Sequence, residues 1–347
     1  MAITGSIAKT ESLKGQIFEA AQLLLTGKNI IFPTETVYGL GADITHLIAV
    51  NRIFQIKKRP TNHPLIVHFA ELEQINYWAE DIPSQAKKLI EYFWPGPLTV
   101  ILPKSRHVPY CVTGGQDTVG LRIPDHPVAI ALLKALGPQK AVVAPSANRF
   151  GHLSPTTAMH ISEEISSKVS MILDGGPCRV GLESTIISFC DPKPVLLRPG
   201  GIPLNAIEAL LNQKVTVQIN HSSNLRAPGM IASHYAPRTP LEVLSTETLE
   251  IRINELLNQK YRIAILSWSD MFYSTLQNTD KTANRYKYYR MPFDPVDYGH
   301  CLYDKLHQLD DGNYDRLLIE MTPDMPDWFA VHDRLQRAGH HSTIPNI

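Results

Sequence analysis

The sequence predicts an α/β protein in two parts, and three observations carry that expectation. Short apolar runs of strand length alternate with stretches of helical spacing along most of the chain. Most of the runs open into hydroxyls, glycines or an arginine, the composition of a ligand-bearing strand end in an open sheet. A proline-bearing stretch with little periodicity, 221–240, separates a first unit (1–220) from a second (241–347), where the alternation resumes. A chain of 347 residues has the length of two domains, and a hydrophobic fraction of 44% is ample for packed cores.

The elements follow in order. Residues 13–26 place Ile17, Ala20, Ala21, Leu24 and Leu25 at helical spacing, and Gly27 is a natural stop. The stretch that organises the chain comes next, NIIFPTETVYGLGAD from Asn29 to Asp43. Ile30, Ile31 and Phe32 read as a buried strand, which Pro33 ends because it lacks a backbone donor. Thr34, Glu35, Thr36 and Tyr38 gather there, and Gly39 and Gly41 are expected to let the backbone turn tightly and approach a ligand. This is no dinucleotide fingerprint, since Ile44 stands where a third glycine belongs, and no Gly-Lys-Ser/Thr makes it a phosphate loop. Thr45 is the expected N-cap of a helix reaching Lys58.

Further strands are expected at Leu65–Phe69, Leu98–Leu102, Val119–Ile123, Ala141–Ala144 and Met171–Leu173, then within the segments 181–188 and 195–200. Helices are expected over 84–92, 128–136 and near 156–165. In the second unit strands are expected at 241–244, 261–266 and 316–320, with helices over 248–257, 296–309 and 328–338. That unit lacks the hydroxyl and glycine loops of the first, so it is expected to act as a cover or stability module.

Composition narrows the function classes. Acidic and basic residues balance at 33 each, which argues against a surface devoted to wrapping nucleic acid. Cys111, Cys178, Cys190 and Cys301 show no CxxC spacing, so neither a zinc ribbon nor a redox pair is indicated, and buried free thiols are expected. The first residues lack the apolar core of a signal peptide, and no apolar run reaches 18 residues; a cytoplasmic location and no membrane span are expected.

Several charged residues stand out. Lys57-Lys58-Arg59 precedes Pro60, and two readings stand: cations favoured by a helix C-terminus, or Lys57 and Arg59 pointing back over the glycine stretch to hold phosphates. His63 and His68 are five apart across a proline, which rules out an HExxH-type zinc pair. Arg122, inside a short apolar segment, requires an anionic partner, either a protein carboxylate or a ligand.

Taken together, FPTETVYGLGAD, KKRPTNHPLIVH, FWPGPLT, DTVGLRIPDHP, APSANRFGHLSPT, GLESTI and LRPG resemble, in the same order, the motifs of the Sua5/YrdC family of threonylcarbamoyl-AMP synthases. In the tail, APGMIASHYAPRTP and AVHDRLQRA extend the resemblance to the long two-domain Sua5 form, from about residue 15 to 340. The implied fold is a twisted open-sheet YrdC-like domain followed by a smaller Rossmann-like α/β domain. The implied reaction joins L-threonine and bicarbonate (or carbon dioxide) as a carbamate, which attacks the α-phosphate of ATP to give L-threonylcarbamoyladenylate and pyrophosphate. A tRNA threonylcarbamoyl transferase machinery then receives the product and modifies adenosine 37, so contact with tRNA is indirect.

The resemblance also implies residue roles. Thr36, His68, Arg122 and Ser184 match positions that contact threonine, and Arg59, Thr118, Ser146, Ser154 and Arg198 match positions that contact the nucleotide. Lys57 matches the lysine of the family's phosphate-binding signature and joins Arg59 as catalytic, and Tyr235 matches a linker tyrosine that reaches over the nucleotide. His63 stands where asparagine is common, at a nucleotide contact, and Lys58 where glycine is frequent. No carboxylate cage for magnesium is visible, so Mg2+ is expected to ride on ATP and water. The linker is expected to close over the site and exclude water from a hydrolysable carbamate. The rival from another class is an RNA-binding protein whose Lys57, Lys58, Arg59, Arg122 and Arg198 line a basic concave face. Neutral overall charge and the lack of interleaved aromatics count against it.

Overall fold

The computed structural model describes residues 2–218, 225–229, 235–269 and 285–339, with side chains from Ser12 onward. It divides into two compact units: 1–150 with 154–230, and 151–153 with 231–347. The stretch expected as a linker divides between them. Residues 225–229 belong to the first unit and Tyr235 onward to the second, while 219–224 and 230–234 lie outside the described residues.

In the first unit ten strands form one mixed sheet. They are β1 (Ile30–Phe32), β2 (Gly39–Asp43), β3 (Ile66–His68), β4 (Leu98–Pro103), β5 (Thr118–Arg122), β6 (Val142–Val143), β7 (Met171–Ile172), β8 (Thr185–Ser188), β9 (Val195–Arg198) and β10 (Thr216–Val217). The order is β10-β9-β8-β4-β5-β3-β6-β2-β1-β7. The first helix, α1 (Ala2–Leu25), packs Ile17, Ala20, Ala21 and Leu24 on Val128 and Leu132 of the helix Pro127–Ala135 and on Phe32 and Val142 of the sheet.

Three local expectations are corrected. Gly39 and Gly41 do not turn; they lie in β2, antiparallel to β1, with Gly41 opposite Ile30 and Gly39 opposite Phe32. Their service is room. A Cβ on Gly41 would stand 3.0 Å from both Phe32 Cε1 and Val142 Cγ1, so the bare backbone lets the Phe32 ring lie flat on β2. Thr45 is not the N-cap of α2 (Leu47–Lys57); His46 is, and the Thr45 hydroxyl donates instead to Asp43 Oδ1 at 2.7 Å. The helix expected near 156–165 is a 3-10 turn (Ala158–His160) and a single turn (Glu163–Ser166), split by extended Ile161. Lys58 ends α2 in the left-handed region (φ 52), which explains why a glycine suits that position.

In the second unit β11 (Leu241–Leu244), β12 (Ile263–Ser267), β13 (Tyr286–Arg290) and β14 (Arg316–Glu320) form a parallel sheet in the order β11-β14-β12-β13. Helices Thr246–Asn258, Pro295–Leu309 and Phe329–Gly339 accompany it. Leu249, Ile253, Leu256 and Leu257 pack on Ile263, Ile265 and Leu318. The edge strand β13, with no fully buried residue, was not visible in the apolar pattern. Among the four free cysteines only Cys178 is buried; Cys190 is exposed, and Cys111 and Cys301 are half-buried. No helix of the described residues is long and apolar enough to cross a membrane.

Candidate active site

Sheet register assembles one edge of the first unit. β3 runs parallel to β5 with His68 opposite Arg122. β4 runs antiparallel to β5 and parallel to β8, so the start of β8 lies beside the end of β5. β9 returns antiparallel to β8 and brings Arg198 opposite Ile186. His68, Arg122, Ser184 and Arg198 therefore share an edge although they are far apart in sequence, and all are buried.

Hydrogen bonds knit the edge together. Ser184 Oγ lies 2.7 Å from Thr99 Oγ1 and accepts from Arg198 Nη2 at 3.0 Å. Arg198 also donates from Nε to Ser184 O and from Nη1 to Pro228 O. Thr36 Oγ1 lies 2.8 Å from Thr34 Oγ1, fully buried, in the loop after β1. That loop reaches the edge through Glu35, whose Oε1 accepts from Arg122 Nη2 at 2.6 Å. Of the two partners left open for Arg122, the protein supplies the carboxylate. The attraction between the two buried charges offsets part of what their desolvation costs. Ser154 Oγ donates to Glu183 Oε1 at 2.5 Å, which ties a second nucleotide candidate to the residue before Ser184.

The other nucleotide candidates form a second group. Arg59 Nη2 donates to Pro64 O at 2.9 Å, and the guanidinium sits 5.7 Å from the Phe150 ring centroid. His63 meets the same ring edge-on at 5.3 Å. Thr118 lies at the far end of β5 from Arg122, roughly 13 Å away at strand rise. Against this end the segment 225–229 packs: Ala227 joins a cluster with Ile66, Ile101, Ile186, Val195 and Leu197. Arg226 Nη2 donates to Gly114 O at 2.8 Å, and a cavity of about 10 Å³ is left between Thr118, Thr99 and Pro228.

Lys57 is engaged inward. Its ammonium donates to Ser146 O and Asn148 O at 2.5 Å, beneath a loop that pairs with β2 through a Gly39–Ser146 bridge. Burial, and then the neighbouring Arg59 charge, push its pKa well below the ordinary lysine value. As placed, Lys57 fixes the loop that carries Ser146, and its ammonium meets backbone carbonyls where phosphate oxygens were expected. Tyr235 belongs to the second unit, buried there with φ 63 beneath Arg334 (4.9 Å) and 6.0 Å from the Tyr303 ring.

Two histidines are held neutral. His68 Nδ1 donates to Ile66 O at 3.1 Å, and burial, then the Arg122 charge, lower its pKa to about 3. Burial, then Arg59 and Arg226, lower His63 to about 4. A neutral His63 offers one donor and one acceptor to a ligand, as the asparagine common there would. Because the folded chain refuses the His68 proton that the unfolded chain takes up below about pH 6.5, stability falls as pH drops from there to about 3. The slope from His68 is at most about 1.4 kcal/mol per pH unit. Urea midpoints of the wild type and His68→Asn across that window check this; the variant's curve is expected to be flatter.

Glu35, Glu183 and Thr99 were not among the candidate residues. The signal for Glu35 was present: an acid next to a buried strand end and an arginine in an apolar strand each need an opposite charge.

A family model for Sua5, YciO and YrdC proteins, described as telomere recombination, matches residues 22–200, and the threonylcarbamoyl-AMP synthase C-terminal domain model matches residues 202–339. The threonylcarbamoyl-AMP synthase of Bacillus subtilis is 38% identical over 93% of this chain and 92% of its own length. That of Pyrococcus abyssi is 44% identical over 69% of this chain and 71% of its own. The crystal structure of P. abyssi Sua5 complexed with L-threonine aligns with a TM-score of 0.85 at 35% identity, covering 95% of each chain.

Proposed function

The chain belongs to the Sua5/YciO/YrdC family in its two-domain form, and from that premise we propose a nucleotidyl transfer that consumes L-threonine, ATP and bicarbonate or carbon dioxide. The products are L-threonylcarbamoyladenylate and pyrophosphate, and the adenylate passes to a tRNA threonylcarbamoyl transferase in the cytoplasm as the first step of t6A formation. The observation that supports this most is the convergence of Thr36, His68, Arg122 and Ser184 from four separate stretches onto one sheet edge.

In the proposed mechanism Arg122 holds the threonine carboxylate through its unused Nη1, while Thr36 and Ser184 form the niche for the side-chain hydroxyl and methyl. Threonine's nitrogen forms a C–N bond with the carbon of carbon dioxide and releases a proton. A carbamate oxygen then attacks the α-phosphorus, and the bond to the β-phosphate oxygen breaks. Arg59 and Arg198 lower the cost of the charge that gathers on pyrophosphate, with magnesium arriving on ATP as part of the substrate. Lys57 contributes by setting the Ser146 loop. No residue has to form a covalent intermediate; placing the carbamate in line supplies most of the acceleration. Residues 225–229, which pack beside Thr118, help to keep water out of the site.

Pyrophosphate release with L-threonine and bicarbonate each present or omitted tests this. Release is expected only when both are present, with L-serine a much poorer substitute. Arg59→Ala is expected to lower that release by roughly 100-fold or more while far-ultraviolet circular dichroism stays unchanged. Wild-type turnover in Arg59→Ala removes the assignment.

A further inference from the structure

We propose that Glu35, besides neutralising Arg122, receives the α-amino group of threonine on its second carboxylate oxygen, Oε2. The inference rests on the reaction proposed above. Glu35 is fully buried, and Oε2 has no hydrogen-bond partner. An ionised oxygen left without a donor in the interior is costly, so its place in the fold asks for one. The protein groups nearby do not supply it. Arg122 is committed to Oε1. The Cys178 thiol keeps its proton, its pKa pushed up to about 12 by burial and then by the Glu35 charge, yet no hydrogen bond joins it to Oε2. His126 accepts the Val128 N–H at Nδ1, and burial lowers its pKa.

The pair has the complementary shape of an α-amino acid. Arg122 uses Nε on Gly96 O and Nη2 on Glu35, which leaves both Nη1 hydrogens without a protein acceptor among the described residues. One buried cation with spare donors thus lies 2.6 Å from one buried anion with a spare acceptor. An α-amino acid carries a carboxylate and an amine two bonds apart, in the opposite sense. Carboxylate on Arg122 and amine on Glu35 satisfies all four groups at once. An amine and an ammonium both donate to Oε2. The carbamate nitrogen keeps one N–H, so the contact persists after the carbon is added. Selection of an amino acid over a hydroxy acid follows, because a hydroxyl or methylene at that carbon leaves Oε2 with a weaker partner or none.

The test is a cycle between one residue and one ligand group. L-Threonine and 3-hydroxybutanoate, which is threonine without its amine, are titrated calorimetrically into the wild type and Glu35→Gln. The wild type is expected to prefer threonine by at least about 10-fold, the worth of one charge-assisted hydrogen bond. In Glu35→Gln that preference falls to within about 3-fold, since an amide donor now faces the amine. A purely structural role weakens both ligands alike and preserves the ratio, which overturns the proposal. Should Glu35→Gln not fold, the wild-type ratio decides alone, and equal binding of the two ligands overturns it. Wild type that binds neither ligand refutes the underlying reaction as well, an outcome distinct from equal binding.

Discussion

Arg122→Leu is expected to cost the first unit about 3–5 kcal/mol of stability, because it strands the buried Glu35 carboxylate without its counter-charge. Arg122→Leu combined with Glu35→Leu is expected to recover most of that loss, since a buried ion pair is replaced by well-packed apolar groups at little cost. Activity separates from stability here. Both variants are expected to lose threonine-dependent pyrophosphate release by roughly 100-fold or more, the worth of two charged hydrogen bonds to a carboxylate. Urea unfolding and turnover on the same samples check both halves. A double variant that regains activity along with stability would remove Arg122 from the substrate site.

Gly200→Ala is expected to have an effect of similar size without touching a ligand. A Cβ at Gly200 would stand 2.3 Å from Glu183 O, 2.5 Å from Ser184 C and 2.6 Å from Thr185 N. All three are backbone atoms at the head of β8, so relief requires the Ser184 segment to move rather than a side chain to swing. A shift of about 1 Å at a substrate-positioning residue costs on the order of 100-fold in turnover. The expected result is a fall of that size in kcat/KM for threonine, with a smaller change in the KM for ATP. Gly15→Ala in α1, where nothing lies within 4 Å of the added methyl, serves as the control and is expected to leave turnover unchanged.

The parts of this structure visible in the sequence are those written by periodicity and by charge in apolar surroundings. Apolar runs located β1, β3, β4 and β5, and helical spacing located α2 and the helix at 127–135. Arg122 announced a partner because a guanidinium in a buried strand cannot stand alone. The parts that were not visible depend on tertiary contacts. Gly39–Asp43 looks like a turn because glycine marks turns, yet it is a strand whose glycines make room for Phe32 and Val142. Lys57 carries no mark in the sequence of its hydrogen bonds to Ser146 O and Asn148 O, which lie 89 and 91 positions away. Glu35 and Arg122 each signal the need for an opposite charge, but only the fold shows that they meet across 87 positions.

The most direct test of the account is to follow the carbon. The purified protein is incubated with ATP, L-threonine and bicarbonate labelled with carbon-13, and the mixture is read by mass spectrometry. A threonylcarbamoyl-adenylate carrying one heavy carbon, formed with one pyrophosphate per molecule and absent when threonine is left out, is the predicted result. Pyrophosphate release without label in any adenylate, or an adenylate that forms equally well without threonine, would contradict it.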